Sequence, residues 1–179
     1  NKGIINYSFY HYQLFFMLVF ELWSDAERKH VNDVLETGIL MRYGFDGPRK
    51  GVWKAKELEQ EICNSFGSKH AQLVSSGTAA LTTALSALGI GYGDEVIMPA
   101  FTFVASFEAV ISVGAVPVMV DVDDTLTLDP AAVKAAITPK TKCIMPVHMC
   151  GSMADMDALQ AICKEHKLLL LEDACQAIG

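Results

Sequence analysis

From His70 onward the chain repeats one pattern, a short apolar run followed by a segment of helical length. The apolar runs are AQLVSS, DEVIMP, AVPVMVDV, KCIMPVH and LLLLED. The segments between them predict helices from Gly77 to Leu88, Thr102 to Val113, Asp129 to Ile137 and Ala154 to His166. Strands that are apolar along nearly their whole length need cover on both faces, and a mainly parallel sheet with helices on either side provides it. The pattern predicts a doubly wound α/β fold, whose ligands sit outside the carboxyl ends of the strands.

Composition fits a packed core and narrows the partners. Of 179 residues, 51% are hydrophobic and 20% charged, and 14 Lys+Arg against 21 Asp+Glu leave a net charge of −7. Without a basic run, such a chain repels a phosphate backbone, so no nucleic acid is expected. Any phosphate must be held locally, by backbone amides and helix ends. The cysteines Cys63, Cys143, Cys150, Cys163 and Cys175 are odd in number and contain no C-x-x-C pair, which reads as reduced thiols in a cytoplasmic protein. His148, Cys150, Cys163 and His166 have the residue types of a zinc site. Cys163 reads better on a buried helix face, with His166 closing that helix where a cation suits the dipole, and no metal is expected. Asp121, Asp123 and Asp124 read as solvated loop acids, and Asp155 and Asp157 as favourable charges at a helix N-terminus.

Ahead of the alternation, residues 1–23 read as an atypical leader. Its apolar stretch Phe9–Trp23 is interrupted by His11, Gln13 and Glu21, and the clean run Leu14–Phe20 falls short of the roughly 20 residues of a membrane span. Lys2 precedes it as in a signal peptide, but no small-x-small cleavage site follows. Residues 24–70 predict two helices and a long loop. Ser24 and Glu27 form a capping box, Val31, Val34 and Leu35 an apolar face, and Gly38 a stop; the second helix is Lys54–Phe66. The intervening Ile39–Trp53 is glycine-rich, aromatic and basic, and exceeds the roughly 12–15 residues beyond which loops are usually functional or disordered. Residues 71–179 read as the first part of a larger ligand-binding domain. The chain starts at Asn1 and stops at Gly179 directly after an apolar strand, so a fragment is expected, with the rest of that domain and a small domain missing.

Three strand ends carry chemistry. After the first comes Ser75-Ser76-Gly77-Thr78, where a strand runs straight into an Ala-rich helix and leaves backbone N–H groups free for an anion; an ordinary N-cap is the plain alternative. After the second come Phe101 and Phe103, a flat platform or simply core. After the last comes Glu172-Asp173, of which strand alternation points one inward, where a carboxylate calls for a positive partner. An anion seat, an aromatic platform and a buried carboxylate together suit a planar cationic heterocycle with a phosphate tail, and pyridoxal 5′-phosphate (PLP) fits. A carboxylate beside its ring nitrogen keeps that nitrogen protonated and the ring an electron sink.

The colinear series SSGTAAL, G-x-GDEVIMPAFTFVAS, GAVPVMVDVD with a downstream LDP, ITPKTK, PVHMCG and LEDACQAIG resembles the DegT-type sugar aminotransferases, from Ser24 to Gly179. The resemblance implies a fold-type I PLP-transferase large domain, here truncated, and a homodimer with sites at its interface. It implies that Gly77 and Thr78 hold the cofactor phosphate, that Phe103 stacks on the pyridine ring, that Asp173 pairs with the ring nitrogen, and that Gln176 lies near the ring. The family's Schiff-base lysine lies in a Ser-Phe-x-x-x-Lys motif some tens of residues past the EDA run, so no catalytic residue is expected within this chain. The reaction implied is amino transfer from glutamate to a keto-sugar or nucleotide sugar. The loop MRYGFDGPRKGVWKAKELE is most similar to the subgroup containing the transaminase that makes 8-amino-3,8-dideoxy-manno-octulosonate, for lipopolysaccharide. It offers Arg42, with Tyr43 beside it and Arg49 further on, to a substrate carboxylate; solvated arginines are the plain alternative. Two other readings stay open: a sugar dehydratase with His in place of the lysine, and a non-catalytic regulator on the same fold. A Rossmann nucleotide binder is disfavoured because GxGxxG is absent.

Overall fold

The structure, a computed structural model, describes residues 23–177, so the expectations for the leader lie outside the described residues apart from Trp23. The chain divides into two compact units between Gln72 and Leu73.

The first unit holds helices α1 (Asp25–Thr37), α2 (Asp46–Arg49) and α3 (Lys54–Phe66). The capping box forms as its sequence requires. The Ser24 hydroxyl accepts from the Ala26 amide at 3.2 Å, the Glu27 carboxylate accepts from the Ser24 amide at 2.7 Å, and Gly38 ends the helix at φ 66°. The apolar stripe of α1 stays at the surface, with no residue of the helix buried.

Between these helices the long loop is organised, because Arg49 is buried within it at 5% exposure. Its Nε donates to the Gly44 carbonyl at 2.8 Å and its Nη2 to the Met41 carbonyl, while the guanidinium lies 4.7 Å from the Trp53 ring centroid. A buried cation is tolerable only where donors are met and the charge is faced by something polarizable, and the carbonyls and the indole do both. Trp53 is fixed in turn by its indole N–H, which donates to the Arg42 carbonyl at 3.1 Å. Arg49 is thereby engaged within the loop, and the expectation that it receives a substrate carboxylate gives way to this inward role.

The second unit runs α4 (Gly77–Ala87), β1 (Glu95–Pro99), α5 (Val104–Ser112), β2 (Val116–Val120), α6 (Pro130–Ala136), β3 (Thr141–Ile144), a 3₁₀ turn (Met149–Gly151), α7 (Met156–His166) and β4 (Leu169–Leu170). The strands lie in the order β2-β1-β3-β4 and every ladder is parallel. Alternation along β1 and β3 divides the interior in two. Val96, Met98, Cys143 and Met145 point to one side, where Leu81 and Leu85 of α4 and Ala109 and Val110 of α5 cover them. Ile97 and Ile144 point to the other, under Val133 of α6 and Leu159, Ile162 and Cys163 of α7. The described unit is an α/β fold with helices on both faces of a parallel sheet, as the apolar runs require.

One expected strand joins no ladder among the described residues. AQLVSS alternates as a strand does, but a strand exists by laddering with a neighbour, and no ladder of the described sheet includes residues 71–76. The helices keep their expected places with trimmed ends: α5 starts at Val104 with Phe103 as its cap, and α7 at Met156, capped by the Asp155 carboxylate, which accepts from Ala158 at 3.0 Å. Asp129 caps α6 through the Ala131 amide at 2.8 Å. Cys163 lies on the buried face of α7 and His166 is its last residue.

Replacing Arg49 by Ala leaves the Met41 and Gly44 carbonyls and the Trp53 face without their partner, and is expected to cost the first unit about 2–4 kcal/mol. The fluorescence of Trp53 during urea unfolding, in a Trp23→Phe background, measures it; an unchanged midpoint would show that the loop does not depend on this side chain.

Candidate active site

At the carboxyl ends of β1 and β3 lies a cavity of about 270 Å³ whose walls include Gly77, Thr78, Phe103, Asp173 and Gln176. Residues about a hundred positions apart in sequence are thus brought to one place, and each arrives for a local reason.

Gly77 and Thr78 open α4. The Ser76 hydroxyl caps the Ala79 amide at 3.1 Å and the Ser76 carbonyl accepts from Ala80 at 3.0 Å. The two remaining first-turn amides are those of Gly77 and Thr78, which have no acceptor within the helix. They stand at the positive end of the helix dipole, the arrangement that takes an anion. Gly77 also sits close under the opposite wall: a Cβ there would lie 3.2 Å from the Cys175 sulfur.

Phe103 caps α5 in extended conformation and leaves its side chain 67% exposed at the cavity rim. Phe103 thus presents an exposed aromatic ring to a cavity whose wall also carries the buried Asp173 carboxylate.

Asp173 is 6% exposed. It continues the sheet beyond β4 through a parallel bridge to Val147, its amide donating to the Pro146 carbonyl at 2.9 Å and its carbonyl accepting from His148 at 3.1 Å. Its Oδ2 accepts from the Ser106 hydroxyl at 2.7 Å and its Oδ1 from the Cys175 amide at 3.3 Å. Among the described residues no cation pairs with it. The histidine contact of the acidic pair belongs instead to Glu172, which accepts from His148 Nε2 at 3.0 Å. The Ala154 amide donates to His148 Nδ1 at 3.3 Å, which places the ring proton on Nε2.

Gln176 turns its side-chain carbonyl to the Cys150 amide at 2.6 Å, inside the 3₁₀ turn where Cys150 adopts a left-handed φ of 55°. Ser106, His148 and Cys175 line the same cavity. Ser106 is the residue that sequence reasoning missed; its signal is a hydroxyl on the apolar face of VASFEAVIS, beside Ala109 and Val110 and four residues after Thr102. Arg42 and Tyr43 belong to the first unit and are not among the residues of this cavity. Arg42 Nη2 donates to both Glu59 carboxylate oxygens, at 2.6 and 2.7 Å, and Tyr43 is 71% exposed.

The thiols differ sharply. Burial pushes Cys143 up to about 12 and also raises Cys163, leaving both inert at neutral pH. Cys175 is exposed, yet its thiol is held above the ordinary range, first by hydrogen bonding to the Asp173 carboxylate and then by partial burial.

The model of the DegT/DnrJ/EryC1/StrS aminotransferase family matches residues 24–179. The chain belongs to this family. Over 158 residues it is 48% identical to the 3-amino-5-hydroxybenzoate synthase of Amycolatopsis mediterranei, covering 88% of this chain and 39% of that protein. The crystal structure of a 3-amino-5-hydroxybenzoic acid synthase superposes with a TM-score of 0.80 at 48% identity, over 87% of this chain and 39% of that one. NtdA from Bacillus subtilis, with its cofactor PMP bound, gives 0.77 at 36% identity, over 88% and 35%. A GDP-4-keto-6-deoxymannose-3-dehydratase holding PLP and glutamate gives 0.76 at 30% identity, over 88% and 40%. The fold is that of the PLP-binding fold-type I aminotransferases, and the chain spans about two fifths of the length of these relatives.

Asp173→Asn removes the negative charge that holds the Cys175 proton and leaves only a neutral acceptor. The thiol should then titrate lower, so that its alkylation near pH 8.5, close to the ordinary thiol pKa of about 8.5, runs several-fold faster, read by peptide mass mapping. An unchanged rate at Cys175 would separate that thiol from Asp173.

Proposed function

We propose that the protein to which these residues belong is a PLP-dependent aminotransferase that moves an amino group from glutamate to a keto-sugar or keto-sugar acid. The observation that carries this reading is Asp173, a buried carboxylate held by neutral donors and facing a cavity that also has an aromatic platform and two free helix amides. That donor set fits PLP part by part: the Gly77 and Thr78 amides suit the phosphate, Phe103 the ring face, Asp173 a protonated ring nitrogen, and Gln176 the ring edge. When bound, PLP supplies an electron sink for charge developing at the substrate carbon. The chain's own residues bind it, orient its ring and hold the proton at its ring nitrogen through the negative charge of Asp173. The Schiff-base lysine is assigned to the Ser-Phe-x-x-x-Lys motif of the full-length protein.

Arg42 is the proposed anchor for a substrate carboxylate. Glu59 holds it through Nη2, and among the described residues no hydrogen bond uses its Nη1 or Nε, so the three N–H donors of those two nitrogens are available. Tyr43 beside it offers an exposed ring and hydroxyl. An octulosonate would place a carboxylate on the sugar, in keeping with such an anchor, and a role in lipopolysaccharide assembly would follow. The relative named for an aminohydroxybenzoate favours a second acceptor class, a carboxylated carbocycle, which the same arginine would serve. We assign the protein to the cytoplasm, where its five free cysteines would stay reduced. A homodimer is the assembly proposed.

Adding glutamate to the PLP-loaded full-length protein should convert the bound cofactor to its amino form, seen in its absorption spectrum, and a keto-sugar acid should reverse the change. A keto-sugar that loses a hydroxyl instead of gaining an amino group, with His in the lysine slot, would replace amination by the dehydratase reading. Arg42→Ala should raise KM for the acid acceptor about tenfold with kcat little changed, since one charge-assisted contact made equally in ground and transition state is lost. An unchanged KM would remove Arg42 from the substrate site.

A further inference from the structure

The strongest feature that the proposed function does not use is the pair of hydroxyls behind Asp173. Ser106 is 1% exposed, and its hydroxyl donates to Asp173 Oδ2 at 2.7 Å. A second hydroxyl, Thr102 Oγ1, lies 2.9 Å from the same Ser106 oxygen. A serine hydroxyl has one proton and a carboxylate can only accept. With that proton given to Asp173, the Thr102 hydroxyl must be the donor to Ser106. The order of donation is therefore Thr102 to Ser106 to Asp173, ending on the negative charge, where hydrogen bonds are strongest.

The same serine is tied to the aromatic platform. Its amide donates to the Phe103 carbonyl at 3.2 Å, and Thr102 is the residue immediately before Phe103. One buried residue thus grips the carboxylate with its side chain and the backbone of the aromatic with its amide. Phe103 and Asp173 come from strand ends seventy residues apart, and the Ser106 hydrogen bonds are a direct bridge between those two segments. Position 106 lies on the sheet side of α5, among buried Ala109 and Val110, where an apolar residue would pack. A hydroxyl there costs desolvation unless both its donor and acceptor functions are met, and here they are.

We propose that Ser106, supported by Thr102, is a positioning residue that sets the spacing and tilt between the Phe103 ring and the Asp173 carboxylate, so that both engage one planar cofactor ring. The inference rests on the PLP reading. Ser106 touches no reacting atom; it acts through Asp173 and Phe103. Thr at position 106 keeps the hydroxyl, whereas Ala removes it at almost constant volume.

The test uses the full-length protein and pyridoxamine phosphate (PMP) as the probe. Calorimetry gives the Kd, and visible circular dichroism of the bound ring gives a signature of its orientation that a merely structural role would not move. Ser106→Ala should weaken PMP about tenfold, the scale of one hydrogen bond to a charged group, and change the dichroic band. Ser106→Thr should restore both, and Thr102→Val should give a smaller change of the same sign. In an Asp173→Ala background, where the side chain that accepts from Ser106 is gone, Ser106→Ala should add little. Wild-type Kd and dichroism in Ser106→Ala would overturn the proposal, as would a full additional loss in the Asp173→Ala background. Failure of the wild-type protein to bind PMP would overturn the cofactor reading itself, an outcome distinct from either.

Discussion

Everything in the larger unit depends on β1 and β3 being buried on both faces at once. A parallel strand covered on one side only would expose half of an almost wholly apolar run to water. Double cover forces helices onto each side, and because each helix must return the chain to the same end of the sheet, every strand delivers its carboxyl end to the same edge. The cavity collects Gly77, Phe103 and Asp173 at that edge as a by-product of how the core is closed. The functional cluster therefore comes from topology first and from side-chain chemistry second.

Chemistry then refines what topology places. Glu172 and Asp173 are neighbours with opposite fates, one turned out to His148 and the other turned in to Ser106. A two-residue alternation separates a half-exposed carboxylate from a buried one without any further device. The division of labour at α4 is similar: Ser76 satisfies the deeper amides and leaves the outer ones, so the helix is capped and open to an anion at once.

What was legible in the sequence follows the range of the forces involved. α1 and α3 could be read almost to the residue, because the capping box of Ser24 and Glu27 and the glycine stops are local. The sheet was legible as a class, through its apolar runs, but the pairing of a run such as AQLVSS depends on a ladder partner that no local pattern reveals. Gly77, Thr78, Phe103, Asp173 and Gln176 could be singled out from strand ends and from the family resemblance, and the structure gathers them in one cavity. Ser106 was not, since a serine inside an apolar helix gains its meaning only from a carboxylate sixty-seven residues away. Arg49 was misread for the complementary reason: in a loop rich in glycine, an arginine reads as solvated, and its burial depends on carbonyls and an indole that only the folded loop brings round it.

The close approach of Gly77 to the Cys175 sulfur has a bearing on how this site can change over evolutionary time. The two positions share one small volume, so they form a steric couple. A side chain gained at 77 calls for a smaller residue at 175, and a bulkier residue at 175 is tolerated only while 77 stays bare. Drift at either position is thus tethered to the other, and routes that remodel this corner of the cavity must pass through paired substitutions.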